Sequence, residues 1–179
     1  YNFIKGGAGI NVLSRHVGTK VIIVDMGIAC DLNPSFKCIG GSALSGLGPH
    51  PDLVIKKVNY GTKNMAKGPA MSREEAIKSI ENGIEIFEKE CVNGIDIAGT
   101  GDMGIGNTTS SSAIASVITG EPVERTTGKG TGVDEVTLAN KIEVIKRAIS
   151  LNKPDPKDAI DVLSKVGGFE IGGLAGVIL

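Results

Sequence analysis

The residues best suited to chemistry follow one another between Gly94 and Ile118. A short apolar run, 94–98, leads into a glycine-rich segment, 99–106. Asn107 and the hydroxyl side chains at 108–112 then open an apolar helix. Glycine lets the backbone approach an anion closely, and a helix N-terminus presents unbonded N–H groups with a positive partial charge. We therefore predict a site for a phosphate-bearing ligand where the predicted strand ends and the helix begins.

This glycine segment has two alternative interpretations. Gly99, Gly101 and Gly104 have the G-x-G-x-x-G spacing of dinucleotide-binding proteins. That class also needs an acidic residue at the end of a second strand, about 20 residues on, and no such strand is predicted. The glycines also suit close packing of a helix against a sheet. The segment is not a phosphate loop of the Walker type, because no Gly-Lys-Ser/Thr follows it.

Two lysines are candidate cations for a bound phosphate. Lys141 lies in the apolar stripe of a helix predicted over 134–150, three residues after Leu138 and four before Ile145. A lysine in this position either extends along the helix edge to solvent or enters a polar pocket. Lys129, between two glycines of a second loop at 128–132, is either a further cation of the site or a solvated loop residue.

Asp102 lies inside the first glycine segment, where its charge would repel a bound phosphate. We expect its carboxylate to face a sugar hydroxyl, a nitrogen base or a backbone donor, with an ordinary turn aspartate as the alternative. We predict no metal site, because the cysteines at 30, 38 and 91 and the two histidines lack metal-ligand spacing. The cysteines are expected to be buried or loop thiols.

The elements that must position these residues alternate between short apolar runs and amphipathic helices. Strands are predicted at 20–25, 53–58 and 94–98, the second of them inside an irregular loop or insertion at 30–70. Helices are predicted at 10–17, after the capping box Ser72–Glu75, around 113–118, and at 134–150 and 157–166. The apolar run 172–179 is either a helix or a strand. This alternation predicts an α/β fold with a largely parallel sheet.

Composition excludes several classes of protein. Lys and Arg number 19 and Asp and Glu 20, a net charge of -1, which argues against a nucleic-acid partner. Apolar residues make up 41% of the chain, enough for a buried core. No apolar stretch approaches the ~20 residues that span a bilayer. We expect a cytoplasmic protein without a membrane partner.

Taken together, six groups of segments resemble the nicotinate-nucleotide–dimethylbenzimidazole phosphoribosyltransferase family. They occur in family order and cover nearly the whole chain: Gly6–Arg15, Val24–Gly27, Gly61–Asn64 with Gly68–Ser72, Gly99–Thr109, Gly128–Gly132 and Lys165–Gly176. Each glycine motif alone is weakly specific, whereas the set is highly specific.

The resemblance implies a Rossmann-like three-layer core within residues 1–179, with a smaller helical domain mostly outside them, assembled as a homodimer. It implies exchange of the base of nicotinate mononucleotide for 5,6-dimethylbenzimidazole, which gives α-ribazole 5'-phosphate and nicotinate for the lower ligand of cobalamin. No metal or organic cofactor is expected. The alternatives are a non-catalytic nucleotide-binding relative and the same transfer to a different acceptor base.

The resemblance also implies roles for individual residues. Substrate-binding residues are expected at Met103, Gly104, Gly106, Asn107, Thr108 and Lys141. Among these, Met103 looks like a wall of the aromatic-base pocket, and Lys141 looks like the active-site lysine near the phosphoribosyl group.

The catalytic carboxylates are placed by the same resemblance. Asp102 occupies a position that is often Glu in the family, close to the reacting groups, and its shorter side chain reaches less far. The family's general base is a glutamate in a Gly-Glu-Gly-type motif, expected beyond Leu179. We therefore expect an internal fragment of an enzyme that is inactive alone, with Asp102 and Lys141 in supporting roles.

Overall fold

A computed structural model describes residues 2–30, 53–130 and 134–179. The chain divides into two compact units, Tyr1–Gly61 and Thr62–Leu179. The elements in chain order are α1 (Gly9–Val17), β1 (Ile23–Asp25), β2 (Leu53–Ile55), α2 (Arg73–Cys91), α3 (Thr108–Thr119), α4 (Val123–Thr126), α5 (Glu135–Asn152), α6 (Ala159–Val166) and α7 (Phe169–Ile178). Predictions for residues 31–52 and 131–133 lie outside the described residues.

In the first unit, a helix precedes a pair of parallel strands. Helix α1 ends at Gly18, which adopts a left-handed conformation with φ 73°, as the sequence predicts. Strand β1 pairs with β2 in register, Ile23 opposite Leu53 and Asp25 opposite Ile55. Asp25 therefore lies at the carboxyl end of its strand, where the chain turns.

In the second unit, helices α2 and α7 pack closely through glycines. The capping box opens α2 as predicted: the Glu75 N–H donates to the Ser72 hydroxyl at 3.1 Å, and the Ser72 N–H donates to the Glu75 carboxylate at 2.8 Å. A Cβ added to Gly83 would overlap the carbonyl oxygen of Gly173 on α7. Glycine in the run 172–179 therefore serves helix packing, and this run is helical.

A small apolar core fixes the helices that carry the candidate site. Helices α3, α5 and α6 contribute the buried side chains Ala113, Ile145, Ala148, Val162 and Val166, joined by Val123 of α4. Helix α5 begins after Asp134, whose carboxylate accepts a hydrogen bond from the Thr137 N–H at 2.8 Å. The positions of α3 and α5 are thereby fixed relative to each other.

The α/β class is confirmed, with parallel pairing of the two strands in the described residues. The predicted strand at 94–98 is wrong: this segment has no regular structure, and Ile97 is 88% exposed. Gly94, with φ 79°, turns the chain after α2, and no strand in the described part of the chain lies beside the segment to pair with it. An apolar run forms a strand only where a neighbour satisfies its backbone groups. The prediction that residues 1–179 form one central core stays a prediction.

Two of the three cysteines lie in the described residues. Cys91 is a free thiol as expected, but it is exposed at the end of α2 rather than buried or in a loop. Cys30 is disulfide-bonded, so the thiol expected there is wrong. In the described residues, no group of three or more His, Cys, Asp or Glu side chains could hold a metal ion. None of the helices in these residues is long and apolar enough to cross a membrane.

Candidate functional site

The glycine segment forms an exposed loop whose backbone is open to a ligand. Gly104 and Gly106 adopt left-handed conformations, with φ 71° and 83°, which favour glycine at both positions. A Cβ added at Gly99, Gly101, Gly104 or Gly106 would meet nothing within 4 Å. Close packing of a helix on a sheet therefore does not explain these glycines. They are explained by backbone conformation and by open access to the loop.

The loop leads into the N-terminus of α3. Asn107, the residue that caps this helix, is buried and makes no side-chain capping hydrogen bond, and the first turn contains no acidic residue. The N–H groups of this turn are thus left to a ligand, with the positive partial charge of the helix end behind them.

Lys141 reaches this helix end from α5. Its Nζ donates to the Thr108 hydroxyl at 2.9 Å and to the Gly128 carbonyl at 3.3 Å. The lysine in the apolar stripe therefore turns to polar groups rather than along the helix edge to solvent. None of the carboxylates in the described ranges 2–30, 53–130 and 134–179 forms an ion pair with it. Its positive charge is left for an anionic ligand.

Within the second glycine loop, Gly130 lies beside the site. Gly130 has φ 66°, and a Cβ there would lie 3.6 Å from the Thr108 hydroxyl and 3.9 Å from the Lys141 Nζ. Glycine at this position keeps the space beside the lysine clear. Lys129, the other candidate cation, forms an ion pair with Glu135 instead, and both side chains are exposed.

Asp102 forms a local turn in the middle of the glycine segment. One of its carboxylate oxygens accepts a hydrogen bond from the Gly104 N–H at 2.7 Å, as a turn aspartate does. Within the described residues it pairs with no cation. Met103 is 58% exposed, so its role as a wall of a base pocket stays a prediction.

Glu170 is a residue that the sequence analysis did not assign. It lies in the first turn of α7, and its carboxyl group occupies the space that a Cβ on Gly168 would need. Burial raises the pKa of Glu170 and the negative charge of Asp102 raises it further, whereas a hydrogen bond from its own backbone N–H opposes the rise. The available signal was an acid two residues after a pair of glycines, at the start of an apolar helix.

The junction between α6 and α7 contacts the start of α3. The Ser110 hydroxyl, in the first turn of α3, donates to the Gly167 carbonyl at 3.4 Å. The start of α3 therefore brings together a cation, hydroxyl groups and N–H groups. Such an arrangement can hold a phosphate.

The whole chain, residues 1–179, matches the family model described as "Phosphoribosyltransferase". A relative from Desulforudis audaxviator, named nicotinate-nucleotide–dimethylbenzimidazole phosphoribosyltransferase, is 56% identical over 100% of this chain and 46% of its own length. A relative with the same name from Chloroflexus aggregans is 52% identical over 99% of this chain and 46% of its own. The chain thus spans about half the length of the curated relatives it matches.

Solved structures agree with the sequence matches. The crystal structure of CobT from Thermus thermophilus superimposes with a TM-score of 0.83 and 34% identity, covering 98% of this chain and 48% of that one. A second structure from the same organism, under the enzyme's full name, gives a TM-score of 0.81 and 32% identity, covering 98% of this chain and 47% of that one. By class, the chain therefore matches the phosphoribosyltransferases over its whole length. More closely, the chain belongs to the nicotinate-nucleotide–dimethylbenzimidazole phosphoribosyltransferase family.

Proposed function

We propose that the full-length protein containing this chain transfers the phosphoribosyl group of nicotinate mononucleotide to 5,6-dimethylbenzimidazole, releasing nicotinate and giving α-ribazole 5'-phosphate. Family membership supports the reaction class, and the names of the relatives supply the two substrates. The product is the nucleotide of the lower ligand of cobalamin. No cofactor enters this proposal.

The observation that carries the proposal is the uncompensated Lys141 beside an open helix N-terminus. Its Nζ lies 2.9 Å from the Thr108 hydroxyl, so cation, hydroxyl and free N–H groups point to one place. We assign this place to the 5'-phosphate of the mononucleotide. The open backbone at Gly104 and Gly106 supports their assignment to the same cradle, and Asn107, which caps the start of α3, is assigned with them.

The phosphate anchor has a chemical consequence for the transfer. Exchange of one base for another at the anomeric carbon requires that the sugar stay in place while one base leaves and the other arrives. An anchored phosphate holds the ribose by one end. We assign Asp102, in the same loop, to face the sugar or the base, where positive charge develops as the bond to the leaving base breaks.

The test is detection of the product by mass spectrometry. The full-length protein is incubated with nicotinate mononucleotide and dimethylbenzimidazole, beside a Lys141→Ala variant. We expect product from the parent and a loss on the order of 100-fold in the variant, as for removal of one preorganised donor. Lys146→Ala is the matched control, because Lys146 lies on the same helix and binds Glu124 at 2.6 Å and Glu143 at 3.1 Å.

Each other outcome has a definite meaning. Product at the parental rate from Lys141→Ala, or an equal loss from Lys146→Ala, would remove the lysine from the site. No product, with mononucleotide still bound, would favour a nucleotide-binding relative or a different acceptor base, which a screen of benzimidazoles, purines and phenols would separate.

We further propose that the full-length protein is a cytoplasmic homodimer. The resemblance to the family is what supports this assembly and location. Light scattering coupled to size-exclusion chromatography tests the assembly, and cell fractionation tests the location. A monomeric mass at working concentration would contradict the first.

A further inference from the structure

The chain contains two nearly identical pentapeptides that begin with Asn-Gly. The first, 82–86, reads Asn-Gly-Ile-Glu-Ile, and the second, 93–97, reads Asn-Gly-Ile-Asp-Ile. An asparagine followed by glycine can lose its side-chain nitrogen as ammonia without an enzyme, because glycine has no side chain to keep its amide nitrogen away from the neighbouring carboxamide. Whether the two groups meet then depends on the structure around each pair.

The first pair is held inside helix α2. Asn82 is 3% exposed, and Gly83 is buried where α2 packs against Gly173 of α7. The helical backbone keeps the amide nitrogen of Gly83 in the helix hydrogen-bond pattern and turned away from the Asn82 side chain. The reaction at this pair therefore requires that the packed middle of α2 unfold locally, which costs free energy.

The second pair lies just after the end of the same helix. Asn93 is exposed, and Gly94 has φ 79°, with nothing within 4 Å of the place where a Cβ would be. Two turn hydrogen bonds hold the pair: the Asn93 N–H donates to the Glu90 carbonyl at 3.1 Å, and the Gly94 N–H donates to the Cys91 carbonyl at 2.9 Å. Both lie at an exposed helix end, where such bonds open at low cost. Residues 95–100 are exposed and without regular structure, so little packing opposes a rearrangement.

We propose that Asn93 is a site of spontaneous deamidation, whereas Asn82 is protected from the same reaction by its place in α2. A base from the solvent takes the proton of the Gly94 amide, and the nitrogen attacks the side-chain Cγ of Asn93. A C–N bond forms there and closes a cyclic imide, while the bond to the side-chain nitrogen breaks and ammonia leaves with the returned proton. Water then opens the ring at either carbonyl, which gives aspartate or isoaspartate. No electrons are gained or lost in these steps.

The two products change the chain at a defined place. Both carry a carboxylate in place of the amide, and isoaspartate also lengthens the main chain by one carbon atom. Asn93 separates α2 from the glycine segment 99–106. The modification therefore alters the connection through which the helix holds that segment.

The experiment follows both pairs in one sample of the full-length wild-type protein. The protein is incubated in mildly alkaline buffer, either native or unfolded in urea, and digested at acidic pH. Peptide mapping by mass spectrometry then follows the gain of about 1 Da that deamidation produces at each asparagine. In urea the two pairs should react at similar rates, because the same residues, Gly and Ile, follow each asparagine. In the native protein we expect Asn93 to react at least about 10-fold faster than Asn82.

Two controls fix the assignment. Asn93→Gln removes the Asn-Gly pair, so its peptide should no longer gain mass while the peptide with Asn82 behaves as in the wild type. A methyltransferase specific for isoaspartate should label the aged wild type and leave the aged variant unlabelled. The comparison of the two pairs needs only the wild type, so it decides the question even if the variant is unstable.

Three results would overturn the proposal. They are equal rates at the two asparagines in the native protein, a native protein in which Asn93 does not react although it reacts in urea, and a difference between the pairs that is as large in urea as in the native state. The last result would assign the difference to sequence rather than to fold. Base exchange is not measured in this experiment, so the proposed function stands or falls independently of it.

Discussion

The tetrapeptide Asp-Met-Gly-Ile occurs twice in this chain, at 25–28 and at 102–105, in two different environments. Both copies begin with the same local contact, since the Gly27 N–H donates to Asp25 at 3.0 Å and the Gly104 N–H donates to Asp102 at 2.7 Å. Beyond that contact they differ. Asp25 is 1% exposed, whereas Asp102 is exposed at the surface of a glycine loop.

The charge of the buried copy is paired with a cation. Asp25 accepts a second backbone hydrogen bond from the Ile28 N–H at 2.8 Å and forms an ion pair with Lys57 at 2.9 Å. Lys57 also donates to the carbonyls of Ile28 and Cys30 and lies 4.9 Å from the centre of the Tyr60 ring. Every part of this arrangement holds the chain together at the end of β1.

In the exposed copy, the aspartate is not paired with a cation in the described residues. Asp102 has its one turn contact and no cation within the described residues, and Met103 is 58% exposed where Met26 is 8% exposed. The comparison teaches that the four residues specify a turn and nothing more. A carboxylate whose charge is already neutralised serves structure, and one whose charge is left open can serve a ligand.

The largest effect expected from this comparison comes from Lys57→Ala. The change leaves the buried carboxylate of Asp25 without its cation, so we expect the free energy of unfolding to fall by about 3–5 kcal/mol. Chemical denaturation of the full-length protein measures it. The double change Asp25→Asn with Lys57→Met removes both charges and should restore part of the loss. A loss below about 1 kcal/mol for Lys57→Ala would show that the pair does not stabilise the fold.

The same distinction between local and distant contacts explains what the sequence could predict. The capping box at Ser72 and Glu75 and the left-handed Gly18 depend on residues within one turn, so their pattern is enough. Lys57 is far from Asp25 in sequence, and nothing in the spacing indicates their pairing. The strand predicted at 94–98 failed for the same reason, because strand formation depends on a neighbour that the sequence pattern does not name.

The distinction between local and distant contacts also applies to the candidate site. The open glycine backbone and the uncapped start of α3 were predictable, since both are local properties of residues 99–108. The odd position of Lys141 in an apolar stripe indicated a polar pocket but not its partners, Thr108 and Gly128. Glu170 was missed because its burial depends on how α7 packs, which no periodicity describes.

A smaller effect is expected at the exposed copy. Asp102→Ala removes one solvent-accessible turn hydrogen bond and no ion pair, so the free energy of unfolding should fall by about 1 kcal/mol or less. The measurement is the same denaturation curve, recorded beside that of Lys57→Ala. If Asp102→Ala destabilised the protein as much as Lys57→Ala, Asp102 would be a structural residue like Asp25, and the division between the two copies would not hold.

The smallest effect concerns the carboxyl proton of Glu170, whose pKa is influenced by burial and by the charge of Asp102. The pKa of Glu170 is raised above its usual 4.5 by burial and then by Asp102, so the folded state holds this proton more tightly than the unfolded chain does. The stability that the proton contributes is fully present below pH 4.5 and is lost as pH rises through the raised value. Glu170→Gln cannot ionise, so its free energy of unfolding should rise relative to the wild type across that window. Denaturation curves at several pH values measure the difference. A constant difference would mean that Glu170 ionises as freely when folded as when unfolded.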